Sequence, residues 1–344
     1  MRYIVTGGFG FIGHNVVGKL ISQGHDVLVI DNNTDYGFLN KEELEYLSVE
    51  RRKVISAALK VNGAGKYEYD TFSINDTSGI EHLFNLFAKD GRIDGVIHLA
   101  SYPRQKAVNM TPVTAGTTMC PALINLLECS VSHEVGKFVY ISSSMVYGDF
   151  NNDVTEESPC NPVGLYGIMK YMGEKIVEDY KRKHDLDYVI IRPSAVYGEL
   201  DVEDRVVSKF MLGAIRGDVL KVNGAGEVLD FTYVGDVAEG IVQATLSENT
   251  NCEVYNLTRS SSQIYTLLDA AELAIKITGM GSIELKDRDM DFPSRGRLDI
   301  SKAVRDFGYD PKVDVEEGFV RYYTWFKTSP YWMEKLGLAS ITPP

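Results

Sequence analysis

Short apolar runs alternate with amphipathic stretches along the first part of the chain. The chain opens on an apolar run, Arg2–Val5, and the stretch that follows, Phe11–Gln23, carries its apolar residues at helical spacing. Four later runs have the length and β-branched content of buried parallel strands: Asp26–Ile30, Gly95–Ala100, Lys137–Ser142 and Tyr188–Arg192. Because parallel strands must be joined by crossovers, this order predicts an α/β fold with a doubly wound parallel sheet.

Composition limits the partners that the protein can have. The 344 residues carry 35 Lys and Arg against 48 Asp and Glu, a formal net charge of −13. A charge of this sign disfavours nucleic acid and anionic membranes, because both attract cations. No run approaches the ~18 apolar residues that a membrane span needs. The four cysteines form neither a CxxC pair nor a Cys/His cluster, so we expect reduced thiols, no metal and a cytoplasmic protein.

A glycine-rich segment lies between the first predicted strand and the first predicted helix. Residues Thr6–Gly13 read TGGFGFIG. Glycines at this spacing allow a tight turn and a close approach of the backbone to a ligand, and the helix N-terminus that follows favours a pyrophosphate. The segment therefore predicts a Rossmann-type dinucleotide site, with contacts from Gly7, Gly10, Phe11, Ile12 and Gly13.

An acidic residue follows the second predicted strand. Asp31 lies where a carboxylate accepts hydrogen bonds from both adenosine-ribose hydroxyls. A carboxylate there also repels a 2′-phosphate, so NAD is favoured over NADP. The alternative is that Asp31 only caps a turn with Asn32 and Asn33. Position alone places three further residues near the adenosine end: Asn32, Ser73 and Ile74.

A Tyr-x-x-x-Lys pattern supplies candidate acid/base chemistry, and its context selects one of five occurrences. Tyr166 and Lys170 begin a long amphipathic stretch and share one helix face. Ser143 follows a predicted strand at the carboxyl edge of the sheet, where open α/β sheets bind ligands. We expect Lys170 and a nicotinamide ring to lower the pKa of Tyr166 toward working pH, with Ser143 sharing the substrate proton. The other four tyrosines with this spacing are Tyr102, Tyr171, Tyr323 and Tyr331.

Together these segments resemble an extended short-chain dehydrogenase of the NAD-dependent epimerase/dehydratase family, from Met1 to about Lys327. The resemblance rests on TGGFGFIG, YGIMK, HLAS, SSSMVYG, RPSAVYG, DFTYVGDVA and LDISKA. It implies that a tightly held NAD oxidises a hydroxyl, often at C4, of a nucleotide-diphosphate sugar. It also implies a homodimer formed through helices near Pro112–Cys129 and Tyr166–His184. Further cofactor contacts implied by these motifs come from Leu99, Ala100, Ser101, Lys106 and Pro193.

The alternating pattern becomes irregular after about residue 195, which indicates a second domain. We expect residues 1–192 to form the NAD-binding domain, with 228–248 returning to it. A smaller, irregular substrate domain is then formed by 193–227 and 249–327. Residues 328–344 are left as a C-terminal tail.

The residues after Ser143 narrow the reaction. The family's 4,6-dehydratases and decarboxylases carry an acidic residue there, whereas this chain has Ser144 and Met145, which we place in the substrate site. Oxidation at C4 needs only Ser143, Tyr166, Lys170 and NAD, so the resemblance implies a 4-epimerase or a C4-dehydrogenase. The alternatives are a dehydratase or decarboxylase, and an NAD-dependent reductase of another small carbonyl compound. The complete catalytic set argues against a non-catalytic scaffold.

Three positions depart from the family's pattern around the substrate. Ala195 and Leu229 stand where an Asn and an Arg meet the diphosphate in relatives, and Met119 stands where an Asn supports the active site. Cations elsewhere in the chain are candidate replacements, because a diphosphate favours Arg and Lys. The alternative is an ordinary solvated, charged surface. The residues that we expect around the substrate are Tyr102, Arg104, Arg205, Lys209 and Arg288, with Lys106, Arg295 and Arg297 as further cations.

Overall fold

A computed structural model describes residues 1–338 except positions 35, 152, 203 and 291. The strands in these residues are β1 (Arg2–Thr6), β2 (Asp26–Asp31), β3 (Tyr67–Thr71), β4 (Gly95–His98), β5 (Lys137–Ile141), β6 (Tyr188–Pro193), β7 (Val196–Tyr197), β8 (Val219–Asn223), β9 (Thr232–Tyr233), β10 (Glu253–Leu257) and β11 (Ser282–Lys286). Seven of them form one parallel sheet in the order β10-β6-β5-β4-β1-β2-β3. The predicted α/β fold class is therefore confirmed.

Helices cover both faces of this sheet. They are α1 (Gly13–Ser22), α2 (Lys41–Ala58), α3 (Thr77–Ala88), α4 (Gln105–Met110), α5 (Pro112–Met119), α6 (Pro121–Ser132), α7 (Gly164–His184), α8 (Val206–Arg216), α9 (Val234–Leu246), α10 (Leu267–Thr278), α11 (Ser301–Phe307), α12 (Val315–Thr328) and α13 (Pro330–Leu336). Successive side chains of β1 point to opposite faces. Val5 packs in a core with α1 and α9, whereas Ile4 packs in a second core with α3 and α6.

The strand order creates the crevice in which the site lies. Strand β1 pairs with β2 on one side and with β4 on the other, so the chain winds away from β1 in both directions. The loops that leave β1 and β4 therefore diverge at the carboxyl edge of the sheet, which is where ligands bind in open α/β sheets.

A third apolar core supports the wall opposite this edge. It joins α8, α10 and α12 around buried residues that include Phe210, Phe231 and Phe319. Strands β8 and β11 form a small parallel pair beside these helices, and β7 pairs with β9. Residues from α8 and from the loops after β6 and β8 thereby face the carboxyl edge of the main sheet.

The structure corrects one segment of the expected domain division. Glu253–Leu257 pairs with β6 as the edge strand of the main sheet, although it lies inside the 249–327 range that we expected in the substrate domain. Within 228–248, α9 packs with α1 in the first core. At the C-terminus α13 buries Trp332, and residues 339–344 lie outside the described residues. No helix that the structure describes is long and apolar enough to cross a membrane.

Candidate active site

One large cavity, of about 940 Å³, opens at the carboxyl edge between the sheet and the third core. The residues that the sequence placed at the cofactor, the substrate or the reaction line it, from the glycine segment to Arg295, with the exception of Arg297, which the sequence analysis offered as a further cation. Its lining residues come from positions 7 to 295 of the chain. Its volume is sufficient for both a dinucleotide and a substrate. The role of each lining residue stays a prediction.

The glycine segment makes a turn that fits a dinucleotide. Gly7 has a φ of +71°, and a Cβ there would lie 2.6 Å from the backbone nitrogen of Ala100. A Cβ on Gly13 would lie 2.1 Å from the carbonyl oxygen of Gly7. Glycine is therefore required at both positions, because the turn packs closely against the protein's own backbone. No side chain caps the N-terminus of α1, so the positive end of the helix dipole is available to a pyrophosphate.

Asp31 connects the glycine segment to the end of β2. Its carboxylate accepts hydrogen bonds from the backbone N–H groups of Phe9, at 2.9 Å, and Asn33, at 2.8 Å. Burial raises the pKa of Asp31, and these two hydrogen bonds oppose that rise. The turn-capping role is therefore present in the structure. Because each carboxylate oxygen can accept more than one hydrogen bond, a ribose diol can be bound by the same group.

Arg51 is a lining residue that the sequence analysis missed. Its guanidinium is buried at the cavity wall and donates to the carbonyl oxygens of Phe9, at 3.4 Å, and Leu200, at 2.8 Å. The side chain therefore joins the glycine segment to the chain after β7. A signal was present in the sequence, because Arg51 lies midway between the buried residues Leu47 and Ile55 at four-residue spacing on α2.

The predicted catalytic residues come together where β5 ends beside the start of α7. Ser143 begins the short 3₁₀ helix Ser144–Tyr147, and its hydroxyl accepts the Met145 N–H at 3.2 Å. The backbone N–H of Tyr166 donates to the side chain of Gln105 at 3.0 Å, which fixes the first turn of α7. Ser143 also faces the Tyr166 hydroxyl and lowers its pKa.

Burial dominates the titration of Tyr166. It raises the pKa of the phenol above its usual value, and the opposing influences are the Ser143 hydrogen bond and the charges of Arg205 and Arg295. Our expectation that Lys170 lowers this pKa is therefore wrong for the protein alone. The desolvation of a phenol enclosed by α7 and the 3₁₀ helix outweighs the cations around it.

Lys170 lies one turn after Tyr166 and is fully enclosed. Its ammonium donates to the carbonyl oxygen of Ile141 at 2.7 Å. Burial lowers its pKa to about 7, and the Glu174 carboxylate opposes this shift. Glu174 in turn accepts hydrogen bonds from Ser142 at 2.5 Å and from Arg192 at 2.9 and 2.6 Å. A buried charge network therefore underlies the catalytic residues.

Four of the cations predicted around the substrate have carboxylate partners within the protein. Asp204 pairs with Lys106 at 2.5 Å and with Lys209 at 2.9 Å. Arg205 pairs with Asp201 at 3.2 Å, and Arg288 pairs with Glu227 at 3.1 Å. These four side chains line the cavity, but each already has a carboxylate partner, which Lys106 and Lys209 share. A phosphate group that binds them must therefore compete with an internal acid.

Arg104 and Tyr102, in the loop after β4, are bound to neighbouring aromatic residues. The Arg104 guanidinium lies over the ring of Phe38 at 3.9 Å. The ring of Tyr102 packs against that of Tyr36, whose hydroxyl donates to the Ser101 carbonyl oxygen at 2.8 Å. The sequence analysis missed Tyr36 and Phe38, because nothing in the segment after Asn33 marked them as partners of a loop more than sixty residues away.

Two hydroxyl groups are left for a ligand. The side-chain oxygens of Ser144 and Ser194 line the cavity, are buried and have no hydrogen-bond partner among the described residues. Buried polar groups are rarely left unpaired, so a bound molecule is expected to complete them. In the described residues, no group of three His, Cys, Asp or Glu side chains is arranged to hold a metal ion.

The fold and this constellation define a dinucleotide-dependent oxidoreductase of the short-chain dehydrogenase type, with Ser143, Tyr166 and Lys170 beside a glycine-rich turn. The chain belongs to the NAD dependent epimerase/dehydratase family, whose model matches residues 3–258. NAD is therefore its cofactor, and the cradle formed by Gly7, Gly13 and Asp31 fits that molecule.

Similar proteins carry out several reactions. UDP-glucuronic acid decarboxylase 1 of Arabidopsis thaliana is 30% identical over 338 residues, which cover 95% of this chain and 70% of the relative. The crystal structure of UDP-glucose 4-epimerase from Thermotoga maritima with UDP-glucose has 29% identity and a TM-score of 0.78, covering 95% of this chain and 98% of that one. UDP-glucuronic acid 4-epimerase from Bacillus cereus, in complex with UDP-glucuronic acid and NAD, has 25% identity and a TM-score of 0.81, covering 94% and 98%.

Proposed function

We propose that the protein oxidises C4 of a nucleotide-diphosphate sugar with NAD, as a 4-epimerase or a C4-dehydrogenase. The observation that carries this proposal is the set of Ser143, Tyr166 and Lys170 at the cavity wall, followed by Ser144 and Met145 in place of an acid. Similar proteins named as UDP-sugar 4-epimerases support the choice of substrate class.

The chain's own residues account for the proton transfer. Tyr166, as phenolate, accepts the proton of the sugar hydroxyl while Ser143 holds the same oxygen by a hydrogen bond. Bound NAD supplies the other half of the reaction, since it accepts a hydride from the substrate carbon. Lys170, held by the Ile141 carbonyl oxygen, presents a donor on the same helix face as Tyr166. Reversing these steps on the opposite face of the sugar gives epimerisation.

Decarboxylation is the second candidate, because a relative with 30% identity is named for it. The carboxylates of the cavity argue against a base beside the reacting carbon. Asp31 accepts two backbone N–H groups, Asp204 pairs with two lysines and Glu227 pairs with Arg288. Since neither these three acids nor Asp289, the fourth acid that lines the cavity, is in the 3₁₀ helix after Ser143, C4 oxidation without assisted elimination is favoured.

A ligand screen followed by one spectroscopic assay tests the proposal. Thermal unfolding of the NAD-loaded protein is measured with UDP-, GDP-, CDP- and dTDP-sugars, and the sugar that raises the midpoint is then used for turnover. Accumulation of bound reduced cofactor indicates a C4-dehydrogenase, whereas conversion of the sugar without accumulation indicates an epimerase. The Tyr166→Phe variant should bind NAD normally and lose turnover. Unchanged turnover in that variant, or no response to any nucleotide sugar, would refute the proposal.

We also propose that the protein is a homodimer formed through α5, α6 and α7. Apolar side chains stand exposed on these helices, including Val113 at 83% and Ile168 at 46% exposure, together with Ile124, Leu165 and Met172. Exposed apolar side chains on three neighbouring helices favour association. Sedimentation at micromolar concentration should give twice the monomer mass, and Ile168→Glu should give monomers that still bind NAD. A wild-type protein that sediments as a monomer contradicts the proposal.

A further inference from the structure

Arg295 is a cation of the cavity wall for which the described residues provide no hydrogen-bond or ion-pair partner. It lies in the segment between β11 and α11, half-buried, and its Nε is enclosed without a hydrogen-bond partner. No carboxylate of the described residues lies within ion-pair distance of its guanidinium. Glu227 is a nearby acid, but its carboxylate is already paired with the Nε of Arg288, at 3.1 Å.

The lack of an acidic partner distinguishes Arg295 from four of the other predicted cations. Lys106, Lys209, Arg205 and Arg288 each meet an acid of the protein. An enclosed guanidinium without an anion is unfavourable, and burial accordingly lowers the pKa of Arg295 to about 10. A charge kept in this state at the wall of a binding cavity is therefore poised for an anion that arrives with the ligand.

The surroundings of Arg295 place it at the reacting end of the cavity. Phe292, three residues before Arg295, packs against the apolar cluster that contains Tyr166 and Met145, and the charge of Arg295 opposes the rise in the pKa of Tyr166. Tyr166 meets the hydroxyl that is oxidised, so a group next to Arg295 is close to the reacting carbon. In a sugar oxidised at C4, the nucleotide phosphate is attached at C1 across the ring, whereas the exocyclic group at C5 is next to C4.

We propose that the Arg295 guanidinium binds a carboxylate attached at C5 of the sugar, so that the substrate is a nucleotide-linked uronic acid. This inference rests on the proposed C4 chemistry, because that chemistry places C5 beside Tyr166. A planar guanidinium matches a carboxylate with two parallel hydrogen bonds, which a neutral hydroxymethyl group at the same carbon cannot form. Arg295 thereby selects the acidic sugar over its neutral counterpart.

Two ligands that differ only at this group test the proposal. Binding of UDP-glucuronic acid and UDP-glucose to the NAD-loaded protein is measured by calorimetry, with UDP alone to report the phosphate contacts. The acidic sugar should bind at least about tenfold more tightly than the neutral one, as expected for a charge-assisted pair. Arg295→Gln should remove that preference and leave the Kd of UDP-glucose and of UDP within about twofold, and Arg295→Lys should retain part of the preference.

A matched control is available two residues away. Arg297 pairs with Asp153 and does not line the cavity, so Arg297→Gln should leave all three affinities unchanged. Normal NAD binding by each variant shows that it is folded. Equal wild-type binding of the two sugars would overturn the carboxylate proposal and leave the proposed function standing. Equal weakening of both sugars and UDP by Arg295→Gln would overturn it as well, since Arg295 would then be a phosphate ligand. No binding of any of the three would overturn both.

Discussion

Replacing Glu174 by Gln should destabilise the protein strongly. Glu174 is fully buried on α7, and its carboxylate is paired with Arg192, whose side chain is only 4% exposed. The substitution keeps the shape of the side chain but removes its charge, which leaves the Arg192 guanidinium buried without a counter-ion. Breaking such a pair costs about 3–5 kcal/mol. The hydrogen bond from Ser142 changes from charge-assisted to neutral, which adds to the loss.

Urea unfolding followed by circular dichroism measures this loss, and a nearby residue provides the control. Glu178 lies one turn further along α7 and pairs with Lys175 at 2.8 Å, but both side chains are substantially exposed. An exposed pair contributes about 0–1 kcal/mol, so Glu178→Gln should have little effect. A loss below about 1 kcal/mol for Glu174→Gln, or equal losses for the two variants, would refute the assignment of Glu174 and Arg192 as a coupled buried pair.

The same substitution should change the titration of the active site. The Glu174 carboxylate raises the pKa of Lys170, so removing its charge should move that pKa below its value of about 7. The pH at which Lys170 loses its proton would then fall, and the corresponding limb of the pH profile of kcat/KM should move to lower pH. Glu178→Gln should leave that limb in place. An unchanged limb in a folded Glu174→Gln variant would show that Lys170 does not sense this network.

Three further outcomes are expected. Gly13→Ala should abolish NAD binding and destabilise the fold by about 1–3 kcal/mol, because the new Cβ would lie 2.1 Å from the Gly7 carbonyl oxygen. Gly18→Ala in the same helix is the control, because its Cβ would meet nothing closer than 3.9 Å. That variant should be as stable as the wild type, or more stable, in thermal unfolding. Lys170→Met should remove part of the pH dependence of the free energy of unfolding. Folding lowers the pKa of Lys170 from 10.5 to about 7, so the stability of the wild-type protein should rise from about pH 7 to pH 10.5. Urea unfolding of the variant at several pH values should lack that part of the rise. Asp31→Asn should weaken NAD binding and reduce the discrimination against NADP by about tenfold in fluorescence titrations; unchanged discrimination would leave only the turn-capping role.

The strands that the sequence predicted are those buried on both faces. Arg2–Thr6 and Lys137–Ile141 are nearly continuous apolar runs, and central parallel strands have this composition because helices cover both sides. Tyr67–Thr71 was missed, because this edge strand reads Tyr-Glu-Tyr-Asp-Thr and four of its five residues are exposed. The edge strand Glu253–Leu257 was assigned to the wrong domain, because no run of apolar residues around it indicated which sheet it joins.

The residues that we propose as catalytic could be selected from the sequence, but the state of their charges could not. Ser143, Tyr166 and Lys170 are close along the chain or at the ends of recognisable elements, so spacing and position were enough to select them. The pKa of Tyr166 depends instead on how completely it is enclosed and on Arg295, which is 129 residues away in the chain. Tertiary packing brings Arg295 close to Tyr166, and no local sequence pattern predicts that proximity.

The net charge of −13 does not show which cations can attract an anionic ligand, because that depends on the partner of each cation. An acidic protein that binds two diphosphates has to concentrate positive charge locally, and the sequence suggested that the loss of two customary phosphate contacts was compensated by added cations. In the structure, Lys106 and Lys209 instead share a single acid, Asp204, at the cavity wall. Arg295, with no such acid, keeps its full attraction for an incoming anion. Selectivity for an acidic sugar therefore depends on which cation the protein leaves unpaired, rather than on how many cations line the cavity.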